Sequence, residues 1–463
     1  ILAVGIVSAY QLYGDGSNLS NVGFSPDTQE NLYAGTGAGT DSDADTCCNV
    51  AIGYSAGHSN VAGDKNVFIG ACAGSNVPQG GCNVFLGGYA GRGSTGQTTG
   101  PVENIAIGLL AGACLGDGGN HNIIMGELAG YQVVSGACNI LIGNCAGACC
   151  DITGDHNIFL GMLAGKNNTS GTYNIAFGKC SLGDGVITGN HNIALGCQAG
   201  HSMTSGSANV FLGKDAGCAN TNAVCNVGIG QSAGKNETKS CNVYIGNEAA
   251  CASTLSHSNV VLGHRSACKM GSACENVIIG VEAAAAQSSS GNMNVYIGCR
   301  AGYCKQGASG NTILGAGAMM KGTTGECNVI IGMMAGEETT SGSRNVYIGE
   351  TAAQSATSGS SNVAIGYKVC LPSNTGDYQL AIGSGASRWI VGNNNFNVGI
   401  GTINPELAVG VGNTYKLSVG ILSAYQLYGD GANLSNVGFN PDSQQNLYAG
   451  TSVGASSDAD TCF

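Results

Sequence analysis

Asn49-Val50-Ala51-Ile52-Gly53-Tyr54-Ser55-Ala56-Gly57 decides the fold, because close copies of its first five residues return along most of the chain. The leading Asn recurs nineteen times between Asn49 and Asn362, and Gln379 and Asn397 open two further copies. The spacing is 17 or 18 residues almost everywhere, with one interval of 21 and one of 16. A fixed period of this size is the signature of a repeat architecture. Within each block the second and fourth residues share one face of a strand, since side chains alternate with period 2. The Gly that follows turns the chain at little steric cost. One strand and one turn cannot bury themselves, so successive blocks must stack as rungs. The spacing therefore predicts an all-β, elongated parallel β-solenoid of about 20 rungs, on the order of 100 Å long at ~4.8 Å per rung.

The middle residue of the block is also apolar, although alternation turns it away from its two neighbours. It is Phe68, Phe85, Phe159, Phe211, Tyr244, Tyr296 or Tyr347 in seven rungs and aliphatic or Gly in the rest. With the second and fourth positions taken as the rung's own core, this stripe faces outward. An apolar stripe of that length exceeds what a soluble monomer leaves uncovered. Those seven aromatic residues are accordingly expected at an inter-chain interface, with self-association into a homotrimer.

Composition agrees with a repetitive, non-enzymatic chain. Of 463 residues 79 are Gly and 6 are Pro, 43% are hydrophobic and 10% charged. Collagen is excluded, because Gly does not fall at every third position and Pro is scarce. A net charge of −12 makes nucleic acid an improbable partner. No apolar run approaches the ~18 residues of a membrane helix.

A longer repeat is superimposed on the short one. Residues 1–48 and 416–463 are identical at 36 of 48 positions, at a constant offset of 415. The sequence thus divides into a start or cap segment (1–48), the solenoid (49–370), a junction (371–415) that contains the single Trp389, and a second copy of the start segment (416–463). The expectation is one period of a tandem array joined head to tail.

The junction phrase VGIGTINPELAVG (398–410), followed by KLSVGILSAYQLYGDGANLSNV (416–437), resembles a pattern of marine bacteriophage tail-fibre and structural proteins. The Asn-[Val/Ile]-x-[Ile/Leu]-Gly-x-x-Ala-Gly rungs are similar to the Gly/Ala-rich heads of trimeric autotransporter adhesins. The resemblance implies a homotrimeric fibre exposed on a virion or cell surface, and hence an extracellular location.

The cysteines fall in a few columns of the repeat. Like positions on adjacent rungs lie within disulfide reach, which makes Cys225 with Cys241 and Cys251 with Cys268 vertical candidates; the alternative for Cys225 is Cys218, a pairing that would close a loop. His121, Cys138 and His156 share one column, but histidines two rungs apart are too distant to bind one ion within a chain. The Asp41–Cys47 stretch DSDADTC lacks the Gly and distal Glu of a Ca²⁺ loop. No metal, cofactor or catalytic set is expected, and no nucleophile–base pair can be picked out. Two function classes follow: a structural fibre shaft, or a cell-surface adhesin or self-assembling bacterial filament whose polar loops bind a host receptor, glycan or surface.

Overall fold

The computed structural model describes residues 26–254, 256–286, 291–401 and 417–419. The strands are numbered β1 to β24 in chain order. β1 (Leu32–Ala34) to β20 (Val363–Ile365) are three residues each, and β21 (Leu380–Ser384) has five. Each pairs in parallel with the next and in register, residue for residue: Val50 lies beside Val67, Ala51 beside Phe68 and Ile52 beside Ile69. Among the described residues there is no helix. The architecture is a parallel β-solenoid of about 20 turns.

A buried Asn column holds the turns together. Asn192 is fully buried. Its backbone N–H donates to the side-chain oxygen of Asn174, one rung earlier, at 3.0 Å, as does its own amide at 3.0 Å. The same amide donates to the Gly206 carbonyl, on the far side of its own turn, at 2.8 Å. The Asn192 oxygen in turn accepts from the N–H and amide of Asn209 at 3.0 and 3.1 Å. One side chain thus ties its rung to both neighbours and closes its own loop. Asn fits where Asp does not, because the position needs donors and an acceptor together.

The Gly after each strand is required by geometry. Gly53 has φ +133, and a Cβ there would lie 2.7 Å from the Gly70 carbonyl oxygen. The same clash recurs rung after rung, so this corner admits no side chain. Two other corner positions hold non-Gly residues at left-handed φ, including Ser55 (52), Cys72 (56) and Leu110 (57) after the strand and Cys48 (61), His121 (58) and Cys138 (59) before it. Each costs of order 1–2 kcal/mol, which the flanking inter-rung hydrogen bonds offset.

Among the described residues both ends of the column are capped. At the start, the Asp27 carboxylate accepts from the Asn31 backbone N–H at 2.8 Å and from its amide at 3.1 Å, standing where a preceding Asn would be. At the finish, Gln379 donates its backbone N–H to Asn362 at 2.7 Å but folds its longer amide back onto Ser373 and Gly376 of the turn that Asn362 opens. The chain then reverses. β22 (Ser387–Gly392) runs antiparallel to β21, and β23 (Val398–Ile400) antiparallel to β22.

Two expectations are corrected here. Among the described residues the first rung is β1, one rung before Asn49 and within residues 1–48. The last counted block, at Asn397, is no rung: it is the return strand of this meander. Apart from β24 (Leu417–Val419), the second copy of the start segment lies outside the described residues.

Replacing Asn192 with Ala strips partners from buried donors and acceptors of Asn209, Asn174 and Gly206. The expected loss is about 2–4 kcal/mol in denaturant unfolding. A loss within about 0.5 kcal/mol, the range of an ordinary surface change, would remove the column as the organising contact.

Candidate functional site

The structure inverts the two faces of the strand. The middle residues, expected at an inter-chain interface, fill the solenoid of a single chain. Phe68, Phe85, Phe159, Tyr296 and Tyr347 are 0% exposed, Tyr244 2% and Phe211 3%. The rings of Phe68 and Phe85 stack at 5.3 Å between centroids. The physical reason is the narrow interior. Three-residue strands offer it a single side chain per rung, and the Ala of Gly-x-x-Ala-Gly fills the facing corner, as Ala56 and Ala73 do at 0% exposure. A large ring occupies space that small neighbours leave: a Cβ added to Gly228 would meet Phe211 at 3.0 Å.

The second and fourth residues therefore point outward. They form two adjacent columns running from Leu32 and Ala34 to Leu380 and Ile382. Every member is apolar except Thr312, and none carries charge. Stacking against the rungs above and below leaves most of them half-buried, while Ile69 (39%), Ile105 (38%), Leu314 (42%) and Phe177 (58%) are more open. At ~4.8 Å per rung and ~3.3 Å per residue the face covers roughly 900 Å². This uncharged ladder is the candidate functional surface.

Cys251 and Cys268 come together, with their sulfurs 2.9 Å apart. Cys225 and Cys241 occupy the left-handed corner before the strand and are exposed, and Cys218 is half-buried; all five are free thiols in this structure. His121 pairs with Glu103 of the rung before it at 2.8 Å, and His156, Tyr173 and His191 stack as rings at 4.8 and 5.1 Å. In the DSDADTC stretch, Asp43 accepts from Asp45 and Thr46 at 3.0 and 3.1 Å, so its carboxylate closes a turn. Among the described residues no group of three or more His, Cys, Asp or Glu could hold a metal ion, and no helix is long and apolar enough to cross a membrane.

Sequence reasoning missed the charges inside the solenoid. They share the column eleven residues after the Asn, where most rungs carry an apolar or small polar side chain. Glu237 is 2% exposed. Its carboxylate accepts from Tyr244 at 2.9 Å, Ser253 at 2.8 Å, Ser256 at 2.6 Å and the backbone N–H groups of Thr238 and Lys239 at 2.9 and 2.8 Å. Burial pushes the Tyr244 hydroxyl well above its ordinary range, and the Glu237 charge adds to this. The apolar interior falls into two stretches, residues 51–216 and 233–381, parted at the Gly228 rung beside this polar cluster. Lys305 is 0% exposed and donates to the Gly325 carbonyl. Burial pulls its ammonium down to about 7, against a weaker opposing pull from Glu326.

Comparison with protein-family models, with curated proteins and with solved structures returns no match.

The Lys305 amine sets a pH dependence. Between about pH 7 and the ordinary lysine range the unfolded chain binds a proton that the folded chain has shed. The contribution of Lys305 to stability rises with pH across that window, and its destabilising effect is complete below it. Lys305→Met should raise unfolding stability at pH 6–7 by on the order of 4 kcal/mol and abolish that slope. Equal pH profiles for the variant and the parent chain would refute this.

Proposed function

We propose that this chain is a non-catalytic structural subunit, the shaft of a homotrimeric fibre on a virion or cell surface. The observation that carries the reading is the uncharged aliphatic face running the length of the solenoid. Shared between two neighbours, its rough area of 900 Å² offers each about half of the ~800 Å² that a partner contributes to a standard stable interface. Its occupant must match a period of ~4.8 Å over about 20 rungs. A second copy of the same solenoid, laid parallel and in register, does so at every rung. Two such neighbours around a common axis make a trimer whose aliphatic columns are shielded from water. The interface thus consists of the second and fourth block residues rather than the middle ones. The resemblance of the motifs to fibre proteins supports the surface location, and the segment repeated at an offset of 415 supports a tandem of such units.

Equilibrium sedimentation tests the assembly. The parent chain is expected at three times its monomer mass. Ile142→Lys, Leu160→Lys and Phe177→Lys combined should give a folded monomer with an unchanged far-ultraviolet spectrum, since charges on this face meet water when chains separate. Phe159→Ala, by contrast, should cost the single chain about 3–5 kcal/mol through an internal cavity. A parent chain that remains a monomer at micromolar concentration would refute the reading.

A further inference from the structure

We propose that Cys251 and Cys268 are joined as a covalent rung-to-rung clip when the chain meets a small-molecule disulfide. The two residues hold the same place on adjacent rungs, each nine residues after its Asn. Backbone hydrogen bonds flank the pair on both sides: Ala250 donates to Ser266 and Ala252 to Cys268, each at 2.9 Å. These bonds hold the two Cα atoms at the inter-rung spacing of ~4.8 Å, inside the range for a disulfide. The sulfurs lie 2.9 Å apart, inside the van der Waals separation of two sulfurs, so bond formation needs little backbone movement. Neither residue has a left-handed φ, unlike the cysteines of the exposed corner column. The remaining neighbours are Glu248 and Arg265, whose charges act on the Cys251 thiol in opposite directions.

The two thiols differ in access, which orders the reaction. Cys251 is partly exposed, whereas Cys268 is buried. Cys251 loses its proton to water, and its thiolate attacks one sulfur of the small disulfide. One small thiolate leaves, and a mixed disulfide remains on Cys251. Cys268 then loses its proton and attacks the Cys251 sulfur, expelling the second small thiolate. Two protein thiols and one small disulfide become one protein disulfide and two small thiols. Burial and the hydrogen bond shared with Cys268 raise the Cys251 thiol above its ordinary range, so the reaction accelerates with alkalinity. The closed loop spans the whole rung between the two residues, and cross-linking it constrains the unfolded chain.

Trypsin makes the test direct, because it cuts after Lys239, Arg265 and Lys269. The folded chain is incubated with oxidised glutathione at pH 8.5, blocked with an alkylating agent, digested and examined by mass spectrometry. The expected product is the 266–269 peptide joined to the 240–265 peptide, lighter by two hydrogen atoms than their sum, with fragmentation placing the bond at Cys251 rather than Cys241. The oxidised chain should also unfold several degrees higher than the reduced one. Cys251→Ser should abolish the linked peptide while leaving the reduced-state unfolding temperature nearly unchanged. Full alkylation of Cys251 and Cys268 after oxidation would overturn the proposal, as would linkage of Cys268 to any other cysteine. Either result leaves the sedimentation behaviour of the chain, and hence the fibre reading, untouched.

Discussion

The side-chain amide of one buried Asn per rung is the contact on which the solenoid depends. A backbone turn of 17 or 18 residues with one three-residue strand has few regular hydrogen bonds of its own. The remaining arms are irregular, with isolated bridges such as Val133 to Ile152 and Asn168 to Ile187. Backbone bonds join these arms from rung to rung, as from Gly57 to Ala73 and from Ser59 to Ser75, and Asn adds the side-chain ties: an acceptor for the next rung's N–H and donors for the preceding rung and the far side of its own. Buried amides this completely paired are costly to lose. Variation in the loops is tolerated because none of these bonds requires a particular side chain there.

The same constraint sets the division of labour along the strand. With Asn turned inward at the first position, period-2 alternation turns the third inward and the second and fourth outward. The interior is then lined by Asn, one middle residue and small corner groups, so its volume must be balanced rung by rung. Phe211 over Gly228 is one such balance, and the Glu237 cluster in the shortest rung is another. Val and Ile outside keep the strand extended through their β preference and expose a flat apolar ladder as a result.

Most of the architecture was legible from the sequence. Period, parallel register, rung number and the Gly turn follow from spacing and steric reasoning alone. What spacing could not reveal is which alternate face is inside, because apolar residues occupy both. The informative signal was the Asn itself: a polar residue at every rung, in the same parity as the middle position, must be buried to be so regular. Two boundaries were hidden for related reasons. Asn31-Leu32-Tyr33-Ala34-Gly35 builds a rung with Ala at the fourth position, outside the aliphatic pattern. Asn-Val-Gly-Ile-Gly builds a rung at 226–230 but an antiparallel strand at 397–401, because Gln379 has ended the amide column before it. Buried charges such as Lys305 gave no sign, since their column admits apolar and polar residues alike.

The Asn column also has a direction. Each side-chain carbonyl points toward the N–H of the following rung, so these dipoles add along the axis, whereas the backbone bonds of the ladder point both ways and largely cancel. A chain of aligned amides carries partial positive charge at its donor end and partial negative charge at its acceptor end, as an α-helix does. Asp27 lies at the donor end, where bonds from Asn31 and Gln29 hold its carboxyl below the ordinary range against the effect of burial. It occupies the place of an anionic residue at a helix N-terminus. A fold without a single helix among its described residues thus acquires a macrodipole, and neutralises its positive pole with a carboxylate.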